Sequence, residues 1–295
     1  KYQSVYVATP VYHGYGLAAL FVSVLLGSHV YLTPRFDAQR AATIIEKNNV
    51  EVLVAVPLMI QRLMNHNVAA LSGLRCLLSG GATLSPALVT RVLAAVGPVL
   101  YNLYGTSEAG VCIMATPAQL AAVPHTLGRS LQGVELCIAG ADGQALPHGT
   151  TGSICVRTAW AAGGARTNWV PTGDAGYRDK DGRVYLRGRV DDMIVSGGEN
   201  VYPQVVEQAL ALHADIADVA VTGIADADYG QRLHAFVTIR QPVCPDALRQ
   251  WLKDKVARYE MPASITILDE LPVTPLGKPD KRALLAMYAA TEMVG

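Results

Sequence analysis

Short runs of β-branched residues alternate with helical patterns through residues 5–100, and this alternation constrains the fold more than any other feature of the chain. A helical pattern from about Ala38 to Asn48 lies among four strand-like runs, which are SVYVATP, SHVYLTP, VEVLVAVP and LRCLLSGG. Strands that alternate with helices predict parallel strands with helical crossovers. Ligands of such sheets bind beyond the carboxyl ends of the strands. The turn-forming segments SGGATLS and YGTSEAG fall at such ends, where glycine lets the backbone approach a ligand closely.

The pattern changes twice in the second half of the chain. From about Gly128 to Arg187, short strands are divided by Gly, Pro and Asp, and DKDGR between two alternating runs predicts a hairpin. This part predicts a small antiparallel barrel or sheet. After Asp191 helical and strand patterns mix, which predicts a small α+β domain. We therefore expect a large core over 1–190, divided into an α/β part at about 1–127 and a β-rich part at about 128–190, and a C-terminal domain over 191–295.

Composition indicates a globular protein and argues against one that binds nucleic acid. The 295 residues are 51% hydrophobic and 16% charged, with a formal net charge of zero, which indicates a well-buried globular protein and gives no basic footprint for nucleic acid. The five cysteines show no Cys-x-x-Cys or Cys/His ligand spacing, so we interpret them as reduced core residues.

One apolar stretch, from Leu17 to Leu32, raises the question of a membrane span. Ser23, Gly27, Ser28 and His29 interrupt it and keep the uninterrupted run below about 18 residues. It predicts a buried helix that passes into a strand, and no transmembrane segment. No signal peptide is visible, so we expect a cytoplasmic protein.

The segment YNLYGTSEAG (101–110) combines an aromatic residue, a glycine turn, two hydroxyls and a carboxylate. Thr106 and Ser107 can donate to phosphoryl oxygens, Glu108 can hold a hard Mg²⁺ ion, and Tyr104 can stack on adenine. The alternative is the capped start of a helix, with Thr or Ser as the cap and Glu in the first turn.

Three further segments carry candidate chemistry. In PTGD (171–174), Gly173 permits a tight turn and Asp174 offers two acceptors that suit the paired hydroxyls of a ribose. In PLGKPDKR (275–282), Lys278 follows a glycine and lies between two prolines, so its ammonium can reach an anionic site. In VYHGYG (11–16), His13 is the polar candidate. Each segment also has an ordinary interpretation. PTGD can be a plain turn, Lys278 a surface lysine that aids solubility, and His13 a histidine in a core loop.

The run GRVDDMIVSGGENVYPQVVE (188–207) lies at fixed distances from these segments. Together, in this order, they resemble the adenylate-forming enzymes, the superfamily of acyl-CoA synthetases, peptide-synthetase adenylation domains and luciferases. SGGENVYP is similar to the acyl-CoA ligase branch. The resemblance covers nearly the whole chain, which matches the C-terminal two thirds or so of such an enzyme, after the family's phosphate-binding loop.

The resemblance implies a role for individual residues. It assigns phosphate contacts to Thr106, metal binding to Glu108 and catalysis to Lys278, and it places His13 beside the substrate carboxylate. It makes Asp191 the hinge of a mobile C-terminal domain, although Asp191 and Asp192 alone suggest only a solvated turn. The remaining cofactor-binding positions are Gly80, Gly81, Ala82, Asn102, Tyr104 and Gly105 for the adenine side, Asp174 and Arg189 for the ribose or phosphate, and Ser196, Gly197 and Gly198 for the pantetheine arm of CoA.

The implied reaction has two steps that use ATP, Mg²⁺ and CoA. A carboxylate attacks the α-phosphate to give acyl-adenylate and pyrophosphate, and the CoA thiolate then displaces AMP. Residues 110–114 carry no fixed charge, which favours a fatty or aryl acid over an amino acid. A homodimer is one possible assembly. The alternatives are an adenylate-forming enzyme without the CoA step, such as an acyl-AMP ligase or a luciferase-like oxygenase, and a non-catalytic nucleotide-binding protein.

Overall fold

The computed structural model describes residues 3–160, 168–273 and 279–292 and has a mixed α/β architecture. A seven-stranded sheet comes first, in the order β2-β1-β3-β4-β5-β6-β7. Its strands are β1 (Ser4–Val7), β2 (His29–Leu32), β3 (Val52–Ala55), β4 (Cys76–Ser79), β5 (Leu100–Thr106), β6 (Gly110–Ala115) and β7 (Arg129–Ser130). The pairs from β2 to β5 are parallel, and β6 and β7 add antiparallel strands at one edge. The predicted parallel sheet with helical crossovers is therefore confirmed.

Helices connect the parallel strands, a further helix joins β6 to β7, and local capping explains where several begin. They are α1 (Gly14–Leu25), α2 (Ala38–Lys47), α3 (Pro57–His66), α4 (Pro86–Ala95) and α5 (Pro117–Ala122), with a short 3₁₀ helix at Val68–Gly73. The side chain of Asp37 accepts from the Arg40 backbone N–H at the start of α2, and Ser85 accepts from Leu88 at the start of α4. Thr116 and Gln119 form a capping box on α5.

The central strands are buried on both faces. One face, with Tyr6, Leu53 and Leu77, packs against α2, α3 and α4, and the other, with Val5, Val7 and Val54, packs against Tyr15 and Ala19 of α1. Helix α1 followed by β2 confirms a helix that passes into a strand. The prediction that this helix is buried is wrong. Only one side of an apolar helix can face the sheet, so residues on the other sides of α1 are exposed, among them Leu17, Phe21, Val22, Val24 and Leu25.

A four-stranded sheet follows in the order β11-β10-β9-β8. Its strands are β8 (Glu135–Ala139), β9 (Gly152–Arg157), β10 (Val170–Arg178) and β11 (Val184–Arg189). The DKDGR segment forms the predicted hairpin turn between β10 and β11, with Gly182 at φ +79°. Asp179 fixes this turn, because its carboxylate accepts from the Arg183 N–H at 2.8 Å and from the Tyr185 hydroxyl at 2.9 Å.

The C-terminal part contains a five-stranded sheet with three helices. The strands are β12 (Ile194–Ser196), β13 (Glu199–Val201), β14 (Ile216–Asp226), β15 (Gly230–Ile239) and β16 (Ser264–Ile267), and the helices are α6 (Pro203–Leu210), α7 (Pro245–Leu252) and α8 (Lys281–Glu292). Residues of α6, α7 and the sheet share one hydrophobic core that includes Val206, Leu210, Val237 and Leu252. This arrangement is the α+β pattern that the sequence predicts.

The cysteines are less uniform than the sequence suggests. Cys76 and Cys112 are buried, as predicted, whereas Cys137 and Cys155 are half-buried and Cys244 is exposed. The prediction of five core residues is therefore wrong for three of them. Cys137 and Cys155 lie on strands whose alternate residues face away from the core, and Cys244 precedes α7 as its N-cap.

The chain divides into two compact units. The first comprises Lys1–Thr172 and Gly176–Leu186, and the second comprises Gly173–Ala175 and Arg187–Gly295. Within the described ranges, every helix is too short or too polar to cross a membrane.

Candidate functional site

In the first unit, polar side chains gather at the carboxyl edge of the parallel strands. Ser79 ends β4, and its Cα is the register partner of Asn102 in β5. Both residues are buried, as is Thr9 just after β1. Ser79 Oγ, Asn102 Oδ1 and Thr9 Oγ1 have no hydrogen-bond partner among the described residues. Each buried unpaired polar atom costs about 1–3 kcal/mol, so three at one edge call for a polar ligand or bound water.

Gly80 and Gly81 follow Ser79 and form a wall without side chains. A Cβ on Gly80 would lie 3.0 Å from Cζ of Tyr15 and 3.2 Å from the carbonyl oxygen of Leu103, and Gly81 has a φ of +76°. The Tyr15 hydroxyl donates to the Leu78 carbonyl at 3.0 Å, which holds its ring over these glycines. Burial raises the pKa of Tyr15, so it stays a neutral donor. Ala82 continues this wall as the next residue, and it is exposed.

The YGTSEAG segment forms a hairpin between β5 and β6. Gly105 must be glycine, because a Cβ there would lie 2.1 Å from the carbonyl oxygen of Gly110. Thr106 Oγ1 accepts from the Ala109 N–H at 3.2 Å, and a hydroxyl that accepts in this way can still donate its own proton. The alternative prediction of a capped helix start is wrong. Close approach of the two glycines, with Thr106 paired to Gly110 and Gly105 to Val111, lets the chain reverse directly into an antiparallel strand.

The other candidates of the first unit differ in their surroundings. Glu108 is exposed in the turn of that hairpin, and the described residues hold no group of three or more His, Cys, Asp or Glu that could bind a metal ion. Tyr104 is half-buried in β5 and packs against the core of the β8–β9 region. His13 is exposed at the N-cap of α1 and has its ring 4.7 Å from that of Tyr12.

In the second unit, Arg189 lies between two carboxylates. Its guanidinium is 3.3 Å from the Asp174 carboxylate and 3.5 Å from that of Asp191. The Arg189 side chain is 50% exposed, that of Asp174 13% and that of Asp191 83%. PTGD is not the tight turn that the sequence predicts, because it lies within β10. Gly173 has a φ of +76°, and a Cβ there would lie 2.9 Å from Nη2 of Arg189. The glycine is needed to make room for the arginine beside Asp174.

The SGGEN segment is a two-residue hairpin turn between β12 and β13. Ser196 pairs with Glu199, and Gly197 and Gly198 have φ values of +57° and +87°, as a type I′ turn requires. The prediction of consecutive glycines that line a channel is untested. A Cβ on Gly197 would lie 2.9 Å from Cδ1 of Tyr229, whereas one on Gly198 would have nothing within 4 Å.

Sequence reasoning missed several residues that the structure brings beside the predicted ones. Ser79 gave a usable signal, since a small polar residue ends an apolar strand directly before two glycines. Tyr229 gave no signal, because contacts between distant strands place it there. Ser196 pairs with Gly230, and the Gly197 N–H donates to the Tyr229 carbonyl at 3.0 Å. Lys278 lies outside the described residues, and its predicted role stays a prediction.

Comparison with known proteins places this geometry in a family. The AMP-binding enzyme family matches residues 2–164, and the AMP-binding enzyme C-terminal domain matches residues 205–278. The chain is 33% identical over 302 residues to a 2-succinylbenzoate–CoA ligase of Geobacillus kaustophilus, covering 97% of this chain and 61% of that protein. It is 30% identical over 311 residues to the medium/long-chain-fatty-acid–CoA ligase FadD8 of Mycobacterium tuberculosis, covering 96% of this chain and 54% of that protein.

Solved structures support the same family assignment. An amide bond synthetase from Marinactinospora thermotolerans superposes with a TM-score of 0.88 at 28% identity, covering 98% of this chain and 63% of that one. The chain therefore spans about three fifths of the length of the proteins it matches. The first family match alone covers more than half of the chain, so this protein belongs to the family of AMP-binding enzymes.

Proposed function

We propose that the chain is part of an ATP-dependent acid–CoA ligase, which activates a carboxylic acid as its adenylate and transfers the acyl group to CoA. The observation that carries the proposal is the set of unpaired buried oxygens of Thr9, Ser79 and Asn102 at the carboxyl edge of the parallel sheet. In open α/β sheets this edge is where nucleotides bind. Membership in the AMP-binding family supports a nucleotide over other polar ligands.

The residues of the first unit fit the adenine and phosphates of a nucleotide. Asn102 and Ser79 offer polar atoms to the base, directly or through water. The Thr106 hydroxyl can donate to a phosphoryl oxygen. Mg²⁺ needs only one or two carboxylates when phosphates and water supply its other ligands, so Glu108 alone fits that ion. When bound, the ion supplies positive charge that offsets charge on the phosphates.

The residues of the second unit fit a ribose. Asp174 offers two oxygens that can accept from a pair of hydroxyls, and the neighbouring Arg189 supplies positive charge for a phosphate. We propose Asp191, which is 83% exposed, as the hinge of the C-terminal domain, because an exposed polar residue tolerates large backbone rotations. The hairpin at 196–199 is the proposed contact for the pantetheine arm of CoA.

We propose a fatty or aryl acid as the substrate. Strand β6 supplies Val111, Cys112, Ile113 and Met114, none of which carries a charge that would pair with an amino acid. The indole of Trp160 lies against Gly110, where a Cβ would be 2.9 Å from its Cδ1 atom, so the start of this strand is flanked by an aromatic ring. The names of the relatives, a succinylbenzoate–CoA ligase and a fatty-acid–CoA ligase, support this class. A homodimer stays a prediction.

The test is product formation from ATP and a panel of aryl and fatty acids, with CoA present or omitted. We expect an acyl-CoA thioester and AMP only when acid, ATP and CoA are all present. A thioester that forms without ATP, or its absence with every acid while AMP is still released, would contradict a CoA ligase.

A second candidate is an adenylate-forming enzyme whose acceptor is an amine. The similarity to an amide bond synthetase favours it, since that protein superposes over 98% of this chain. An acyl-adenylate is an activated acyl donor for either nucleophile. Replacing CoA by simple amines in the same assay separates the two, because amide formation that exceeds thioester formation would identify the amine as the acceptor.

A further inference from the structure

Two cysteines that have no role in the proposed function face each other across neighbouring strands in the first unit. Strands β8 and β9 are antiparallel, and Cys137 is the direct register partner of Cys155. Side chains of directly opposed residues project from the same face of a sheet. The opposite face carries Ile138 and Ile154, which belong to the hydrophobic core. Both thiols therefore lie on the outer face of this strand pair.

The surroundings confirm that this face is partly open to solvent. Cys137 and Cys155 are both half-buried, and the Cys155 thiol lies 3.8 Å from the Ser153 hydroxyl, two residues away on the same face. The next pair on the same face is Glu135 and Arg157, an ion pair whose side chains are 60% and 30% exposed. Small reagents can thus reach both sulfur atoms without opening the core.

The geometry matches the requirements of a disulfide bond. Cα atoms of directly opposed residues in an antiparallel pair are about 4.5 or 5.5 Å apart, depending on the type of pair. Disulfides span Cα separations of about 4.4–6.8 Å. Both types of pair fall within this range, so closure needs rotation of the side chains and little movement of the backbone.

We propose that Cys137 and Cys155 form a reversible cross-strand disulfide, by thiol–disulfide exchange with a small oxidised disulfide such as glutathione disulfide. One thiolate attacks the small disulfide and releases one reduced thiol, leaving a mixed disulfide on the protein. The second cysteine loses its proton and attacks the protein sulfur of that mixed disulfide. The second small thiol leaves, so two protein thiols are oxidised and one small disulfide is reduced to two thiols.

Burial affects the rate of this reaction. It raises the pKa of the Cys155 thiol, and the neighbouring Cys137 raises it further, while the hydrogen bond with Ser153 opposes the change. The thiolate is the attacking species, so a raised pKa keeps its population small near neutral pH. Closure should therefore accelerate as the pH rises above neutrality.

The test uses the unmodified 295-residue chain, incubated with glutathione disulfide and then alkylated. Before alkylation the intact mass should fall by about 2 Da, the two hydrogens lost when two thiols become one disulfide, and alkylation should then label two fewer cysteines than in the reduced chain. Peptide mapping without reduction should recover one cross-linked species that joins the peptides of Cys137 and Cys155. Dithiothreitol should reverse it. The same incubation in guanidinium chloride is the control, because an unfolded chain favours this pair only through its short loop and also pairs other cysteines, so the folded chain should give a larger share of the Cys137–Cys155 species.

Two results would overturn the proposal. One is a folded chain in which Cys137 and Cys155 accumulate only mixed disulfides with glutathione. The other is a cross-link that involves Cys244, the exposed cysteine, in preference to this pair. Cys137→Ser and Cys155→Ser should each abolish the mass loss and trap a single glutathione adduct at the remaining partner. None of these readouts depends on ligase activity, so they are independent of the proposed function.

Discussion

Nη1 of Arg189 lies 3.3 Å from Oδ1 of Asp174, and a glycine at position 173 makes the approach possible. The arginine is half exposed, whereas only 13% of the Asp174 side chain is accessible. An exposed partner limits what the pair contributes to stability. The arrangement is better suited to holding a carboxylate ready for a ligand than to stabilising the fold.

Asp174→Asn should weaken ATP binding and change stability little. The substitution removes charge-assisted acceptors for the ribose, a loss of about 1.5–3 kcal/mol, which corresponds to roughly a tenfold to hundredfold rise in Kd. Isothermal titration with ATP measures it. Asp181→Asn is the matched control, because Asp181 pairs with Arg183 at 2.8 Å in a hairpin that no nucleotide role involves. An equal effect of both substitutions would contradict a ribose contact at Asp174.

Ser79→Ala should make the ligand-free chain more stable and its affinity for ATP weaker. The Ser79 hydroxyl is buried without a partner among the described residues, so removing it should relieve about 1–3 kcal/mol of unfavourable burial. Urea unfolding and ATP titration measure the two effects. Ser85→Ala is the control. Its hydroxyl caps α4, so its loss should lower the unfolding free energy by about 1 kcal/mol and leave ATP affinity unchanged. A destabilised Ser79→Ala variant would show that the oxygen is satisfied in the free protein.

Gly197→Ala should destabilise the second unit more than Gly198→Ala does. Both positions have positive φ, which costs a non-glycine residue about 1 kcal/mol. A Cβ at position 197 also clashes with Tyr229, whereas one at 198 meets open space. Urea unfolding should give the larger loss for Gly197→Ala, and Tyr229→Ala should remove the difference. Equal losses would place Tyr229 away from this turn.

Stability should fall with rising pH because of Glu207. Its carboxylate accepts from the Val221 N–H at 2.9 Å, and burial raises its pKa above the ordinary value of 4.5, with Lys281 opposing the shift. The folded state then binds the proton more tightly than the unfolded state. The stability that this provides is fully present below about pH 4.5 and is lost as the pH rises through the raised pKa.

Glu207→Gln separates the charge from the hydrogen bond. The amide keeps an oxygen for Val221 but cannot ionise, so its unfolding free energy relative to the natural chain should increase as the pH rises from 4.5 towards 8. Glu207→Met is the control, because it loses the acceptor at every pH and should be destabilised in acid. Parallel pH profiles for the natural chain and Glu207→Gln would refute a raised pKa.

Local sequence signals predicted the elements well where the determinant is local. Asp179 and Gly182 make the DKDGR hairpin, and the helix predicted from about Ala38 begins at that residue, where Asp37 caps it. Alternation of strands and helices was enough to predict the parallel sheet. Each of these features depends on residues within a few positions of one another.

Long-range contacts explain what the sequence could not give. Gly105 lets a helix-like capping pattern close into a hairpin, because the Gly110 carbonyl oxygen on the opposite strand occupies the space of a side chain at position 105. Gly173 lies in strand β10 and not in a turn, and the Arg189 guanidinium occupies the space of a side chain there. The pairing of Ser79 with Asn102 needs two strands in register. None of these contacts leaves a periodic or local trace.

The central claim is adenylation, and acid-dependent exchange of pyrophosphate into ATP tests it most directly. The assay compares the product of the complete gene, the 295-residue chain and two lysine variants. Lys278→Ala should reduce exchange by at least about a hundredfold, since it removes the cation predicted to stabilise charge at the α-phosphate. Lys281→Ala, which loses the pair with Asp192 at 2.8 Å, should retain most of it. Exchange in the complete gene product that needs an acid and depends on Lys278 is the result we expect. ATP binding without exchange for any acid would contradict the account.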